Sequence, residues 1–321
     1  MNKDLLLMIT VLLTVGASMI SGCIDTESGT DNELEEERKK SWNFTDPLGK
    51  EVVLDGEPER IVTMTPALTE MVYVVGAFQK IVGCDSSSDM PPEAQRLEHV
   101  VSWQGLDAEK LIALEPDLVI MDKTLDRTDT IYTEVKGLDI PVYRIYPTNL
   151  SDVLDAITAV GELTDETDNA TAVVEDFRDR MDVVKVAADT ILEDSAPKVL
   201  HVTYYDGTGD PWVATDSTFS GSLISMAGGE CAVSDDRGFV VQISLETIIE
   251  SSPDLILCSQ SSSWPTQTRE TIINDDRWTD IPAVENGNVV DVEGDWCDRT
   301  GPRLIMGLEE FHGHIMNTAE V

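Results

Sequence analysis

Three tryptophans lie in loops where side chains could hold a ligand without covalent chemistry. Trp103 precedes a short predicted helix, Trp212 follows Gly-Asp-Pro, and Trp296 lies in the segment Gly-Asp-Trp-Cys-Asp-Arg. The chain has 6 tryptophans in all, so three in such loops are a concentration. Indole rings bind by stacking, which suits a large, flat, partly apolar ligand that needs few polar anchors. The alternative is that each ring packs into the hydrophobic core beside it.

Signatures of covalent catalysis are absent from the sequence. It contains no G-x-S-x-G, no H-E-x-x-H and no glycine-rich phosphate loop. Paired carboxylates carry little information, because 61 of the 321 residues are acidic. The sequence therefore favours a binding protein over an enzyme, and we expect no catalytic residues.

The side chains that could ligate a metal are dispersed along the chain. The histidines are His99, His201, His312 and His314. A transition-metal site needs several His, Cys or carboxylate side chains to converge. The cysteines after Cys23 form no C-x-x-C pair and show no zinc-type spacing. We therefore expect no metal site and no cofactor, while a disulfide and buried free thiols both stay open.

An internal repeat indicates the elements that position these residues. The segment that begins at Asp107 recurs at Ser244, 137 residues later, without a gap. Each copy has a helix N-cap residue, a glutamate in the first helical turn, an apolar helix, Pro-Asp and a buried strand. Each half also opens on a strand, at 61–64 and 199–203. This alternation predicts an α/β fold with two Rossmann-like lobes, each built on a parallel sheet.

A helical segment separates the two halves. Residues 151–193 have apolar side chains at helical spacing and few Gly or Pro, which predicts one long helix or a kinked pair. It would join an N-terminal lobe at 42–150 to a C-terminal lobe at 194–321 and permit only a modest rocking of the lobes. Ligands of open parallel sheets bind beyond the carboxyl ends of the strands, so we expect a cleft between the lobes.

The N-terminus has the pattern of a targeting signal. Lys3 precedes an apolar run, and Ile-Ser-Gly-Cys ends at Cys23. This predicts a lipoprotein signal peptide at 1–22 with Cys23 acylated; a plain secretory signal or a single membrane anchor is the alternative. Residues 23–41 are charged and almost devoid of apolar side chains, so we expect an acidic tether. The protein would be lipid-anchored on the extracytoplasmic face of the cell membrane.

The formal net charge of -39 limits the partners. The acidic residues are scattered along the chain rather than gathered in one block. Such a surface repels nucleic acid and offers no basic patch to anionic lipid. It suits a chain that stays soluble where salt screens its self-repulsion. We expect no nucleic-acid partner.

Several motifs coincide with those of a known family. The general ones are Arg60-Ile-Val-Thr-Met-Thr-Pro-Ala-Leu-Thr-Glu and Leu114-Glu-Pro-Asp-Leu-Val-Ile. With them, about residues 58–315 resemble the substrate-binding proteins of ABC importers that serve cobalamin, ferric siderophores and haem. The resemblance implies two α/β lobes joined by one long helix, a monomer, and permease and ATPase subunits as partners.

Three further segments are similar to the cobalamin-binding branch of that family. They are Gly83-Cys-Asp-Ser-Ser-Ser-Asp-Met-Pro-Pro-Glu-Ala-Gln, Val101-Ser-Trp-Gln-Gly and Asp295-Trp-Cys-Asp-Arg-Thr-Gly-Pro-Arg. The branch usually has Tyr before the Pro pair and Trp-Phe-Glu-Arg in the last segment. This chain departs from it at Met90, Cys297 and Asp298.

The resemblance implies a set of functional residues. The implied ligand contacts are Met90, Trp103, Gln104, Trp212, Asp295, Trp296, Asp298 and Arg299. In the family an acidic residue on each lobe docks onto arginines of the permease, which implies Glu70 and, as the nearest candidate on the second lobe, Glu230. The ligand would be cobalamin or a related corrinoid. The alternatives are a ferric siderophore or haem carrier of the same family and, more remotely, an exported enzyme on the same scaffold.

Overall fold

The structure, a computed structural model, describes residues 42–123, 126–191, 195–261 and 266–319. The predicted signal peptide, the acylated Cys23 and the acidic tether lie outside these residues. In the described part of the chain, no helix combines the length and the apolar character needed to span a bilayer.

The first lobe has a six-stranded sheet at its centre. The strands of this lobe are β1 Asn43–Thr45, β2 Glu51–Val53, β3 Ile61–Thr63, β4 Ile81–Asp85, β5 Glu98–Ser102, β6 Gly105–Leu106, β7 Leu118–Asp122 and β8 Val142–Ile145. The first two form a separate hairpin, and the others follow the order β6-β5-β4-β3-β7-β8. Only β5 and β6 are antiparallel in this sheet, because a tight turn joins them.

The helices of this half are α1 Pro66–Val74, α2 Ala108–Ala113, α3 Asp126–Lys136, α4 Leu150–Leu163 and α5 Thr167–Ala188, with 3-10 turns at Phe78–Lys80 and Pro92–Arg96. Two of them, α2 and α4, begin at a side-chain cap. The Asp107 carboxylate accepts a hydrogen bond from the Lys110 amide at 3.0 Å, and Asn149 accepts one from the Asp152 amide at 3.0 Å. Both bonds satisfy amides that lack a partner within the helix.

The second lobe repeats the arrangement with an altered edge. Its strands are β9 Lys198–Tyr204, β10 Trp212–Ala214, β11 Glu230–Cys231, β12 Val241–Gln242, β13 Leu255–Gln260 and β14 Val289–Glu293, in the order β12-β10-β9-β13-β14 with β11 beside β9. Its helices are α6 Phe219–Met226, α7 Leu245–Ser251, α8 Thr268–Ile273, α9 Pro282–Glu285, α10 Gly294–Cys297 and α11 Leu304–Ala319, with a 3-10 turn at Asp276–Trp278.

In the second sheet, the strand next to one edge runs against its neighbours. Strand β9 runs parallel to β11 and β13, and β13 runs parallel to β14, as strand-helix alternation predicts. Strand β10 is antiparallel to β9 and β12. The reason is that the loop 205–211 leads from β9 directly into β10, without the crossover that parallel neighbours need.

The internal repeat extends to backbone detail. Glu115 and Ser252 occupy equivalent positions before the Pro-Asp pairs, and both have left-handed backbone angles, with φ of 44° and 50°. The Asp117 carboxylate accepts hydrogen bonds from the amide of Arg60, and the Asp254 carboxylate accepts one from the amide of Lys198. In each lobe this aspartate therefore holds the start of one strand, β3 or β9, beside the strand that follows Pro-Asp, β7 or β13.

A kinked pair of helices lies between the two sheets. Helix α4 packs against α1 of the first lobe and against α5, and α5 packs against α6 and α11 of the second lobe. Asp165, with φ of 61°, turns the chain between α4 and α5. The two helices approach closely at Gly161, where a Cβ would collide with the Cβ of Ala170. One apolar cluster runs through both lobes here and includes Leu154, Val174 and Phe311.

Candidate functional site

The two lobes meet through charged side chains. Arg299 Nη1 lies 2.7 Å from Asp89 Oδ1, and Arg303 Nη2 lies 2.6 Å from Glu70 Oε1 and 3.2 Å from Asp89 Oδ1. Within the second lobe, Arg299 Nη2 is 2.8 Å from Asp295 Oδ1. These five residues form an interlobe ion cluster in which three carboxylates surround two guanidinium groups.

The elements of the fold explain why these groups converge. Glu70 lies on α1 and Asp89 in the loop after β4, while Asp295 lies in α10 after β14. The chain beyond α10 lies against the first lobe, because a Cβ at Gly301 would come within 3.1 Å of Ala67. The cluster therefore lies beyond the carboxyl ends of strands, where open parallel sheets bind ligands.

Burial and ion pairing act in opposite directions on the acids of the cluster. Burial raises the pKa of the Glu70 carboxyl, and the hydrogen bond from Arg303 opposes this without cancelling it. Burial also acts to raise the pKa of Asp89, but the hydrogen bond and charge of Arg299 outweigh it and hold that pKa below its usual value. Both acids depend on cations that the other lobe supplies.

The structure leaves the predicted docking residue Glu70 little access to a partner. A docking residue must reach a partner, yet Glu70 is only 2% exposed and its carboxylate is paired with Arg303. This burial could not be predicted from the sequence, because the partner Arg303 lies on the other lobe. Glu230, the second predicted docking residue, lies in the short strand β11 and is exposed.

The three tryptophans of interest lie on separate elements. Trp103 is at the turn between β5 and β6 and is 81% exposed, so it is not a core residue. Gly105 closes that turn with φ of 126°, a value that favours glycine. Trp212 begins β10 and is 40% exposed, whereas Trp296 lies in α10 and is partly buried.

The remaining predicted contacts have different surroundings. Met90 is half-buried next to Asp89 in the loop after β4, and Gln104 is exposed beside Trp103. Asp298 is exposed at the end of α10, whereas Asp295 and Arg299 are engaged in the interlobe ion cluster. The structure therefore gives these eight residues unequal access to a ligand.

Two exposed aromatic residues in the described part of the second lobe were missed in the sequence. Tyr204 is 40% exposed and is the cross-strand partner of Trp212, and Phe239 is 53% exposed just before β12. Tyr204 ends the first strand of the second lobe. Its position at a strand end was the available signal, since the same criterion selected Trp212 and Trp296.

Among the residues that the structure describes, one group of side chains could hold a metal ion. His201 Nε2 lies 3.9 Å from Cys297 Sγ and 3.7 Å from an oxygen of Asp298, and Cys297 Sγ is 3.9 Å from that oxygen. Burial lowers the pKa of His201, which favours the neutral imidazole, and raises the pKa of the Cys297 thiol well above its ordinary value. The dispersion of the histidines along the chain gave no hint of this convergence.

Comparison with known proteins identifies the family. The family model for periplasmic binding proteins matches residues 61–295, which is most of the chain. The chain belongs to the periplasmic binding protein family. The predicted family and the predicted two-lobed α/β fold are therefore confirmed.

Individual members of the family show the range of relatives. An uncharacterized ABC transporter substrate-binding lipoprotein of Bacillus subtilis, YvrC, is 26% identical over 304 residues, which are 93% of each chain. The vitamin B12-binding protein of Yersinia pestis is 26% identical over 259 residues, covering 79% of this chain and 85% of the relative.

Solved structures share the two-lobed fold. The periplasmic vitamin B12 binding protein BtuF of Vibrio cholerae superposes with a TM-score of 0.71 at 22% identity, covering 83% of this chain and 99% of BtuF. The periplasmic heme-binding protein BhuT, in complex with two hemes, gives a TM-score of 0.70 at 23% identity, covering 81% and 98%. The fold is thus common to proteins that bind different ligands.

Proposed function

We propose that this periplasmic binding protein is the substrate-binding component of an ABC importer and that it binds a corrinoid, cobalamin or a close relative, between its lobes. A lipid on Cys23 would hold it at the extracytoplasmic face of the membrane, where it passes the ligand to permease and ATPase subunits. The relatives named for vitamin B12 binding and for ABC transport support this class. The chain performs no covalent chemistry in this role.

The charge balance of the interlobe ion cluster favours a corrinoid over an anionic ligand. Arg299 and Arg303 are already paired with three carboxylates. Arg237, in the loop before β12, pairs with Asp235 at 2.7 Å. A ligand carboxylate buried here would find no uncompensated cation, because these arginines are already paired. Its desolvation would therefore cost several kcal/mol for each buried ion. A corrin ring carries neutral amides at its rim and avoids this cost.

Exposed aromatic surface supplies the complementary attraction. Trp103 and Trp212 present large indole faces to solvent, 81% and 40% exposed, on the first and second lobe respectively. Burying such a ring against a ligand would be favourable, because an aromatic side chain brings a large apolar area into the contact. A broad macrocycle held between such rings would gain apolar contact without needing a cation.

A direct binding comparison tests the ligand class. The purified chain is titrated separately with aquocobalamin, haemin and a ferric hydroxamate siderophore, and quenching of tryptophan fluorescence is followed. We expect saturable binding of the corrinoid at micromolar concentration or below, and much weaker binding of the other two. Tighter binding of haemin or of the siderophore would overturn the corrinoid assignment while leaving the family unaffected.

The role of Trp103 is tested by substitution. Trp103→Ala should weaken corrinoid binding by about 2 kcal/mol, roughly 30-fold, the size expected for an aromatic hot spot. Tyr73→Ala is the matched control, because Tyr73 is also exposed, at 40%, but lies on α1. If the two variants bind the corrinoid equally well, Trp103 takes no part in the site.

Docking onto a permease requires exposed acids on both lobes, and the repeat provides one such pair. Glu109 and Glu246 occupy equivalent positions in the first turns of α2 and α7, and both are exposed. A second acidic pair of the repeat, Asp117 and Asp254, is half-buried and bound to backbone amides, so it is less suited to docking. We propose Glu109 and Glu246 as the docking contacts; Glu230, exposed on β11, is the alternative on the second lobe.

A further inference from the structure

His201, Cys297 and Asp298 form a triangle of potential ligand atoms with sides of 3.7 to 3.9 Å. The point equidistant from the three atoms in their own plane lies about 2.2 Å from each. A metal ion displaced out of that plane into tetrahedral geometry would lie about 2.3 Å from each, so the nitrogen and oxygen would move inward by a few tenths of an ångström to reach the Zn²⁺ distances of about 2.0–2.2 Å. The nitrogen-to-oxygen distance of 3.7 Å is too long for a direct hydrogen bond, so these two atoms are not already engaged with each other. The spacing is compatible with three ligands of one metal ion.

We propose that these three side chains bind a divalent transition-metal ion of the zinc type in the second lobe. Nitrogen, thiolate and carboxylate donors together suit Zn²⁺ better than Mg²⁺ or Ca²⁺, which prefer oxygen ligands. Three protein ligands leave a fourth position for solvent, and the exposed Asp298 provides access to it. The site does not depend on which ligand the cleft binds.

The fold holds the three donors in place. His201 lies in β9 and is fully buried, and its ring packs edge-on against Phe311 of α11 with centroids 5.3 Å apart. Cys297 ends α10, and Gly294 leaves room for the Asp298 carboxylate, since a Cβ there would lie 3.2 Å from Asp298 Oδ2. A metal ion would therefore meet donors that need little rearrangement.

Two existing contacts must change when the ion binds. The Ser259 hydroxyl hydrogen-bonds to His201 Nε2 at 2.8 Å, and the Cys297 thiol donates to the Glu293 carbonyl at 3.4 Å. The hydroxyl must rotate away so that the Nε2 lone pair can reach the metal. The thiol proton is released to solvent, and the thiolate and the carboxylate then balance the two charges of the ion.

Cobalt substitution gives a direct test. The purified chain is treated with a chelator, freed of it, and titrated with Co²⁺ under exclusion of oxygen. We expect one equivalent to produce a thiolate-to-cobalt charge-transfer band in the near ultraviolet, and Zn²⁺ to displace it. Cys297→Ser should abolish the band, and His201→Gln should weaken binding by more than about 100-fold, beyond the loss expected for a residue that only supports a ligand.

Two controls separate this site from adventitious binding. Cys231→Ser and His312→Gln change the same residue types elsewhere in the second lobe and should keep the band and the affinity. Should the buried variants fail to fold, Asp298→Asn, at an exposed position, replaces them and should also lower the affinity. Absence of the band, or a band that survives in Cys297→Ser or is lost in Cys231→Ser, would overturn the proposal.

Discussion

The interlobe ion cluster makes a sharp prediction for Arg303→Met. Methionine keeps the apolar stem but removes the cation that lies 2.6 Å from Glu70 Oε1, and Glu70 is only 2% exposed. Removing one partner of a buried ion pair typically costs 3–5 kcal/mol, because a charge stays buried without compensation. We expect Arg303→Met to lower the free energy of unfolding by about 3 kcal/mol at pH 7.5. This is the lower end of the range, because Arg299 remains 3.8 Å from the same oxygen.

The loss of unfolding free energy in Arg303→Met should depend on pH in a definite direction. Burial already raises the pKa of Glu70, and removal of Arg303 raises it further. A carboxyl whose pKa is raised by folding binds its proton more tightly in the folded state, so its contribution to stability falls as pH rises above its ordinary value of 4.5. The destabilisation by Arg303→Met should therefore be small near pH 5 and grow towards pH 7.5, by at most about 1.4 kcal/mol per pH unit.

Urea unfolding at the two pH values measures this effect. The double variant Glu70→Gln, Arg303→Met leaves no charge of this pair buried and should recover most of the lost stability. Arg180→Met is the matched control, because Arg180 forms a 2.7 Å ion pair with Glu309 that is well exposed and should contribute less than about 1 kcal/mol. Equal losses at both pH values, with additive effects in the double variant, would refute the electrostatic reasoning.

Three further predictions concern other parts of the chain. Glu246→Arg should abolish ligand uptake in a reconstituted importer while leaving ligand affinity intact, whereas Glu134→Arg, exposed on α3, should change neither; uptake that survives Glu246→Arg removes this residue from the docking surface. Gly161→Ala should lower the thermal midpoint, because its Cβ would collide with Ala170 between α4 and α5; an unchanged midpoint would show that the two helices separate freely. Asp107→Ala should reduce the free energy of unfolding by about 1 kcal/mol, because the cap on the Lys110 amide is lost. Asp107→Asn should be nearly neutral, because an asparagine oxygen can make the same cap.

The scaffold was predictable because its signals are local. The repeat from Asp107 and Ser244 contains its own caps, helix and strand, so each copy specifies the same structure, including the left-handed residue before Pro-Asp. The reversed direction of β10 was harder to foresee. It depends on the length of the loop 205–211, and the sequence pattern of a strand does not report its direction.

The site was less predictable because its partners are distant in sequence. Glu70 and Arg303 are 233 residues apart, and His201 and Cys297 are 96 residues apart. Residue type suggested that Arg299 could bind a ligand, but only the fold reveals that Asp89 and Asp295 already engage it. The exposure of Trp103 could be inferred from its place in a short turn, two residues before Gly105, because turns of this kind lie at the surface.

A charged contact between lobes also affects how they separate. When Arg299 and Arg303 leave Glu70 and Asp89 together, water rehydrates both signs of charge, so the lost Coulomb attraction is largely offset. This differs from deleting one partner, which leaves its counterpart buried. The apolar cluster through α4, α5 and α11 has no such compensation, because exposing it costs about 25 cal/mol for each Å². The lobes should therefore rock about these helices and open at the ion cluster.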